Sequence, residues 1–101
     1  MSSDGILSLL GIAKRGGFVV SGEFATEKAV KTGAAMLVII AADASDNTRK
    51  KFTDKCTFYE VPIYFYGSKE ELGHALGCEV RTSVAVTDEG LANALIRKLD
   101  K

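Results

Sequence analysis

Residues 36–41, Met-Leu-Val-Ile-Ile-Ala, form the most apolar run of this 101-residue sequence. The run contains no polar side chain, which is typical of a strand that is buried on both faces of a sheet. It ends where residues 43–46, Asp-Ala-Ser-Asp, begin a polar turn. We therefore predict that this run is the central strand of the fold.

Two helices and a short strand are predicted before the central strand. Apolar residues recur at helical spacing between Ile6 and Ala13, with a cap at Ser3 or Asp4 and a stop at Gly16-Gly17. A brief strand at 18–20 follows, and the second helix starts at Ser21-Gly22-Glu23. Gly33 ends that helix, whose apolar positions are Phe24, Ala25, Ala29 and Val30.

Three helices and two strands are predicted after the central strand. Ser45 can cap a helix that carries Phe52, Cys56 and Tyr59 on one face. Strands are expected at 63–66 and 83–86, and the short helix between them starts with a capping-box pattern from Ser68 to Glu71. The last helix begins at Thr87-Asp88. This alternation predicts an α/β fold with helices on both faces of a small sheet, as a single domain over residues 1–101.

The composition is that of a folded globular protein. Thirteen Lys and Arg balance thirteen Asp and Glu, and 47% of the residues are hydrophobic, which excludes intrinsic disorder. The two cysteines lack metal-ligand spacing, so we expect reduced thiols. Neither a signal peptide nor an apolar span of about 20 residues is present, so we expect a cytoplasmic protein without a membrane partner. The charge is uneven, since residues 1–55 hold eight basic and six acidic residues and residues 56–101 hold five and seven.

Few residues could support catalysis. His74 has no His or Cys at metal-ligand spacing, and no P-loop, GxGxxG, GxSxG or HExxH motif is present. Asp43 follows the central strand, where α/β sheets place ligands, but it could equally help Ser45 to cap the next helix. No general base, nucleophile or metal set accompanies it. We therefore expect no enzymatic activity, no catalytic residue, no metal, no cofactor and no small-molecule substrate.

Basic residues near helix starts suggest an anion site. Gly22 opens the second helix, whose free N-terminal N–H groups favour anions, and Lys28 and Lys31 follow. Residues 47–51, Asn-Thr-Arg-Lys-Lys, place a second basic group near the end of the central strand. Each set could instead be a solvated outer helix face. In the loop at 77–82, Val80 could pack on an exposed base beside Arg81, or it could turn inward.

The order and spacing of these segments resemble the ribosomal protein L7Ae family, most closely its short bacterial YlxQ-type branch. The resemblance covers nearly the whole chain and rests on six stretches of sequence, at 14–23, 28–30, 35–45, 47–56, 61–62 and 69–73. It implies a three-layer α-β-α sandwich with a small mixed four-stranded sheet. It also implies binding to RNA, typically to a kink-turn, which is a duplex bent sharply around a short bulge and flanked by sheared G·A pairs.

The resemblance also implies where the RNA would bind. The start of the second helix would enter the opened groove, the loop before the last strand would cover the extruded bulge nucleotide, and the segment from Asp43 to Arg49 would line a third side. The residues predicted to bind RNA are Ser21, Gly22, Glu23, Lys28, Lys31, Asp43, Ser45, Arg49, Cys78, Glu79, Val80 and Arg81. The expected partners are a kink-turn-like RNA such as ribosomal RNA, and ribosomal proteins.

The sequence departs from the family pattern at the second helix. Where archaeal and eukaryotic members have adjacent Asn and Glu, this chain has Phe24 and Ala25, which cannot hydrogen-bond a guanine edge. Glu23 is a candidate substitute, and Lys28 keeps its position. The leading hypothesis is a ribosome-associated RNA-binding protein. The alternative is a protein-interaction module of a ribosomal or RNA-processing complex that uses the acidic second half of the chain.

Overall fold

The apolar run at 36–41 forms the strand at the centre of the fold, as predicted. The computed structural model describes residues 5–100. Its helices and strands are, in chain order, α1 (Ile6–Arg15), β1 (Val19–Ser21), α2 (Glu23–Thr32), β2 (Leu37–Ile40), α3 (Asp46–Tyr59), β3 (Ile63–Phe65), α4 (Lys69–Ala75), β4 (Ser83–Val86) and α5 (Glu89–Leu99). All the residues of β2 and β4 are buried, because both strands are internal to the sheet.

The sheet is mixed, with the strand order β1-β4-β2-β3. Strands β2 and β3 are parallel, whereas β4 runs antiparallel to both of its neighbours, β1 and β2. One end of the sheet is therefore formed by the last residues of β1, β2 and β3 and by the first residue of β4. We call it the carboxyl end of the sheet, and the loops and helix starts at this end include most of the predicted site.

Alternating side chains divide the core into two layers. Leu37 and Ile39 of β2 face α1, α4 and α5, while Val38 and Ile40 face α2 and α3. Phe52 and Cys56 of α3 fill the second layer, and Leu10 of α1 belongs to the first. The fold is thus the predicted three-layer α-β-α sandwich.

Three predicted helix starts are confirmed by their hydrogen bonds. The Ser45 hydroxyl accepts from the Thr48 N–H of α3, Ser68 and Glu71 form the capping box of α4, and the Asp88 carboxylate accepts from the first turn of α5. Ser3 and Asp4, proposed as caps for α1, lie outside the described residues. Within residues 5–100, no helix combines the length and the apolar character needed to cross a bilayer.

Two residues that the helical spacing groups with core residues are exposed. Phe24 is 80% exposed because the buried positions of α2 are Thr26, Ala29 and Val30, and a residue two positions before Thr26 lies about 200° around the helix. Tyr59 is 40% exposed because it is the last residue of α3, where the helix leaves the core. Grouping Phe24 with Ala29 and Val30, and Tyr59 with Phe52 and Cys56, on one helix face is therefore wrong.

Candidate functional site

The carboxyl end of the sheet gathers residues that are far apart in sequence. Ile40 of β2 pairs with Phe65 of β3 on one side and with Ser83 of β4 on the other. Ser21 of β1 pairs with the next residue of β4, Val84. With neighbouring strands about 4.8 Å apart, this row spans about 14 Å from β1 to β3. The three segments predicted to form the site lie along it.

The start of α2 is open to solvent at the β1 side of this row. Gly22 has φ 95° and ψ 156°, a conformation that L-residues rarely adopt, and its N–H donates to the Ser83 carbonyl at 2.9 Å. Gly22 offers no side chain to cap the helix, and a Cβ there would meet no atom within 4 Å. The first N–H groups of α2 therefore lack a side-chain cap, and uncapped N–H groups at a helix start favour an anion.

The outer face of α2 carries an exposed aromatic ring and two lysines. Phe24 lies in the first turn, and Lys28 and Lys31 follow at four and seven positions along the same face. Lys28 is exposed and has no ion-pair partner among residues 5–100, whereas Lys31 pairs with Glu27 at 3.2 Å. The free cation of this face is thus Lys28.

An ion-pair network joins α2 to α3. The Lys51 ammonium lies 2.7 Å from Glu23 and 2.8 Å from Glu27, and Lys55 lies 3.7 Å from Glu27. The hydrogen bond from Lys51 and then that from Lys31 lower the pKa of Glu27 to about 2. The hydrogen bonds to Glu23 and Glu27 raise the pKa of Lys51. Glu23, which is a candidate substitute for the residues that bind a guanine edge in the family, is therefore ion-paired with Lys51.

The turn from Asp43 to Arg49 is fixed by hydrogen bonds at the β2 and β3 side. Asp43 accepts a hydrogen bond from the Lys69 N–H at 3.0 Å, so it holds the start of α4, and Ser45 alone caps α3. The Arg49 guanidinium donates to the Ala42 carbonyl at 2.7 Å and lies 4.8 Å from the centre of the Phe65 ring. This guanidinium is positioned before any ligand arrives.

The loop at 77–82 is held close to α4 at Gly73. A Cβ at Gly73 would lie 2.7 Å from both the Glu79 carbonyl oxygen and the Val80 nitrogen, so only glycine allows this approach. Arg81 donates through Nε to the Ser21 hydroxyl at 2.8 Å, which ties the loop to β1. Val80 is 41% exposed, which decides between the two orientations considered for it.

The other two predicted site residues of this loop, Cys78 and Glu79, face elsewhere. Cys78 packs against the core layer of α1, α4 and α5, and with Glu79 it lines a cleft between α1 and α4. That cleft also includes the exposed His74 and the carboxylates of Glu70 and Glu71. Among the described residues, no group of three or more His, Cys, Asp or Glu side chains could hold a metal ion.

Sequence reasoning missed two aromatic residues of the site. The sequence marks Phe24 only as an apolar position of α2 that cannot hydrogen-bond a guanine edge, yet it is the most exposed large apolar side chain among the described residues. The sequence predicts Phe65 only as a strand residue, yet its side chain is 38% exposed and its ring contacts the Arg49 guanidinium. Phe65 is the last residue of β3, and only the strand order of the sheet, which the sequence does not give, places β3 at the edge.

Two comparisons relate most of the sequence to known proteins. The model of the ribosomal protein L7Ae/L30e/S12e/Gadd45 family matches residues 4–96. The RNA-binding protein YlxQ of Bacillus subtilis (strain 168) is 50% identical over 92 residues, which are 91% of this chain and 92% of that protein. The RNA-binding protein YlxQ of Enterococcus faecium is 36% identical over 86 residues, which are 85% of this chain and 82% of that protein.

Solved structures share the same fold. A protein of unknown function from Bacillus halodurans C matches with a TM-score of 0.94 and 37% identity, covering 98% of this chain and 100% of that one. The 15.5kD RNA binding protein of Giardia lamblia matches with a TM-score of 0.79 and 28% identity, covering 93% of this chain and 81% of that one.

Proposed function

This chain belongs to the ribosomal protein L7Ae/L30e/S12e/Gadd45 family, and we propose that it is a non-enzymatic protein that binds RNA at the carboxyl end of its sheet. The observation that carries the proposal is the uncapped start of α2 beside Lys28, the free cation of the outer face of α2. Backbone N–H groups and a nearby ammonium group together suit a phosphate of the RNA backbone. The names of two relatives, both called RNA-binding protein, support it.

The preferred RNA in this proposal is bent and bulged, as a kink-turn is. The start of α2 and Val80 lie on two sides of the site, and the Arg81–Ser21 hydrogen bond fixes their relative position. A surface whose parts are fixed relative to one another selects RNA by its bent shape more than by its base sequence. The proposal extends to ribosomal RNA as the target and to the cytoplasm as the place of action.

A gel-shift experiment tests this function. We expect the pure protein to bind a kink-turn RNA and to bind the same duplex without its bulge at least tenfold more weakly. Neutral net charge predicts weak non-specific attraction, and contact with about four phosphates predicts that log affinity falls with log salt at a slope of roughly −3 to −4. Equal affinity for both RNAs, or no salt dependence, would contradict the proposal.

A pair of matched variants locates the binding surface. Lys28→Glu should reduce kink-turn affinity at least 100-fold with a nearly unchanged melting temperature, because this side chain is exposed and makes no ion pair within residues 5–100. Lys14→Glu makes the same change in the last turn of α1, at the other end of the sheet, and should bind as the wild type does. Equal losses in both variants would assign binding to overall charge instead of to α2.

The cleft between α1 and α4 favours a second candidate function, a protein-interaction module. Its floor includes Leu7 and Ala75, and its rim carries Glu70, Glu71 and Glu79. These carboxylates repel RNA and suit a basic segment of a ribosomal protein. A partner that stays bound to the wild type after ribonuclease treatment, and is lost in Glu70→Lys, would support this candidate.

A further inference from the structure

A groove runs along the outer face of α2, from the first turn of the helix to its last turn. The side chains that line it are Phe24, Glu27, Lys28, Lys31 and Thr32. At 1.5 Å per residue, Lys28 lies about 6 Å and Lys31 about 10.5 Å along the axis from Phe24. An aromatic ring is therefore followed by two cations in a line that leads away from the carboxyl end of the sheet.

Phe24 is exposed without a structural role in the protein. It is 80% exposed and lies outside both core clusters. Phe58, in the last turn of α3, is similarly exposed at 77%. Its ring, however, packs edge-on against that of Tyr59, with the ring centres 4.9 Å apart. The Phe24 ring has no such aromatic partner among residues 5–100.

The groove remains positively charged although it contains a carboxylate. Glu23 and Glu27 are both engaged by lysines, and Glu27 is shared by Lys31, Lys51 and Lys55. The groove and the ion-pair network beside it together carry two carboxylates and four ammonium groups, those of Lys28, Lys31, Lys51 and Lys55. Their net charge is +2. A polyanion can therefore run along the groove without repulsion from Glu27.

We infer that this groove binds unpaired nucleotides of the RNA, with one base stacked on Phe24 and the following phosphates near Lys28 and Lys31. The inference rests on the proposed RNA-binding function and names the kind of RNA that the site prefers. A base inside a duplex cannot reach the ring, whereas an unpaired base can stack on it. The target would thus be a bent RNA that carries a single-stranded segment next to the bend.

Fluorescence gives a direct test, because the sequence contains no tryptophan. Phe24→Trp introduces the single indole of the protein at the proposed stacking position, and Phe58→Trp is the matched control on α3. The RNAs are a blunt-ended kink-turn and the same kink-turn with four unpaired uridines added at one end or the other. We expect an extended RNA to quench the emission of Phe24→Trp and to leave that of Phe58→Trp unchanged.

Affinity measurements complete the test. One of the unpaired extensions should strengthen binding to the wild type at least fivefold, and Phe24→Ala should remove that gain while Phe58→Ala keeps it. Both rings are exposed, so all four variants should keep the fold, which circular dichroism checks. Unchanged emission of Phe24→Trp at saturation, or an undiminished gain in Phe24→Ala, would overturn the inference.

The outcomes separate this inference from the proposed function. A wild type that binds the blunt kink-turn but gains nothing from either extension keeps the RNA-binding proposal and removes the single-stranded groove. A wild type that binds none of these RNAs removes both. In that case, a loss of a protein partner in Phe24→Ala would instead assign the ring to a protein contact.

Discussion

Helices α2 and α3 start at the same end of the sheet and pack against each other, but their first turns are built differently. The Ser45 hydroxyl accepts from the Thr48 N–H at 3.2 Å, so the start of α3 is partly satisfied by the protein itself. The start of α2 has Gly22 in the equivalent place and no side-chain cap. Glycine at this position costs only a few tenths of a kcal/mol relative to serine, so an open helix start is compatible with a stable fold.

The side chains around the start of α3 are held by contacts within the protein, whereas those around the start of α2 are exposed. Arg49 in the first turn of α3 is held by the Ala42 carbonyl and by the Phe65 ring, whereas Phe24 and Lys28 on α2 project into solvent. One start is therefore closed by contacts within the protein, and the other is open to solvent. If this distinction is correct, changes at the start of α2 should lower RNA affinity strongly, and changes at the start of α3 should lower stability without a comparable loss of affinity.

Among changes at the two helix starts, the largest effect is expected from Gly22→Ala, which disturbs the open start. A Cβ would meet no atom within 4 Å, so the whole cost comes from the positive φ of 95°. We expect the free energy of unfolding to fall by about 1–3 kcal/mol and RNA affinity to fall at least tenfold, because the first N–H groups of α2 would reorient. Chemical denaturation and gel-shift titration measure the two effects.

A second glycine of the same helix provides the control. Gly33 ends α2 with φ 82° and also has free space around its Cβ position, but it lies at the other end of the sheet. Gly33→Ala should lose roughly 1 kcal/mol of stability and keep its RNA affinity. If both variants lose affinity equally, the loss follows stability, and the open start of α2 has no special role.

A smaller effect is expected from Glu27, which links the two helices through Lys51. Its carboxylate has a pKa of about 2 in the folded protein, below the ordinary value of 4.5, because Lys51 and Lys31 hydrogen-bond it. The charged form therefore stabilises the fold fully above about pH 4.5, and this contribution is lost as the pH falls towards 2. Glu27→Gln should be about 1–2 kcal/mol less stable than the wild type at pH 7, since 20% side-chain exposure weakens the pairs.

Urea denaturation at several pH values checks the sign of this effect. The difference in stability between the wild type and Glu27→Gln should shrink between pH 4.5 and pH 2, while the other carboxylates titrate alike in both proteins. A difference that stays constant over this range would mean that Glu27 acts through packing and not through its charge.

The architecture could be predicted from the sequence because its signals are local. The uninterrupted apolar run of β2, the capping residues Ser45 and Ser68 and the helical spacing of Leu91 and Leu95 each depend on a few neighbouring residues. The same reasoning fails where position around a helix decides exposure. Phe24 is apolar like the core residues of α2, and only the face set by Thr26, Ala29 and Val30 places it in solvent.

The partners of the site residues could not be predicted, because they come from distant parts of the chain. The hydrogen bond from Arg81 to Ser21 joins residues 60 positions apart, and that from the Lys69 N–H to Asp43 spans 26 positions. The close approach at Gly73 likewise depends on how the 77–82 loop folds back over α4. Family resemblance indicated which segments meet, and the structure adds which atoms hold them together.

The smallest effect is expected from Ser45→Ala, which opens the start of α3. Losing an N-cap hydroxyl typically costs about 1 kcal/mol, which corresponds to a fall of roughly 4–8 °C in Tm for a chain of this size. Because this hydroxyl is used within the protein, we expect RNA affinity to change less than in Gly22→Ala. Ser45→Gly should lose only a few tenths of a kcal/mol. An unchanged Tm with a tenfold loss of affinity would show that Ser45 contacts RNA directly and that the start of α3 is open like that of α2.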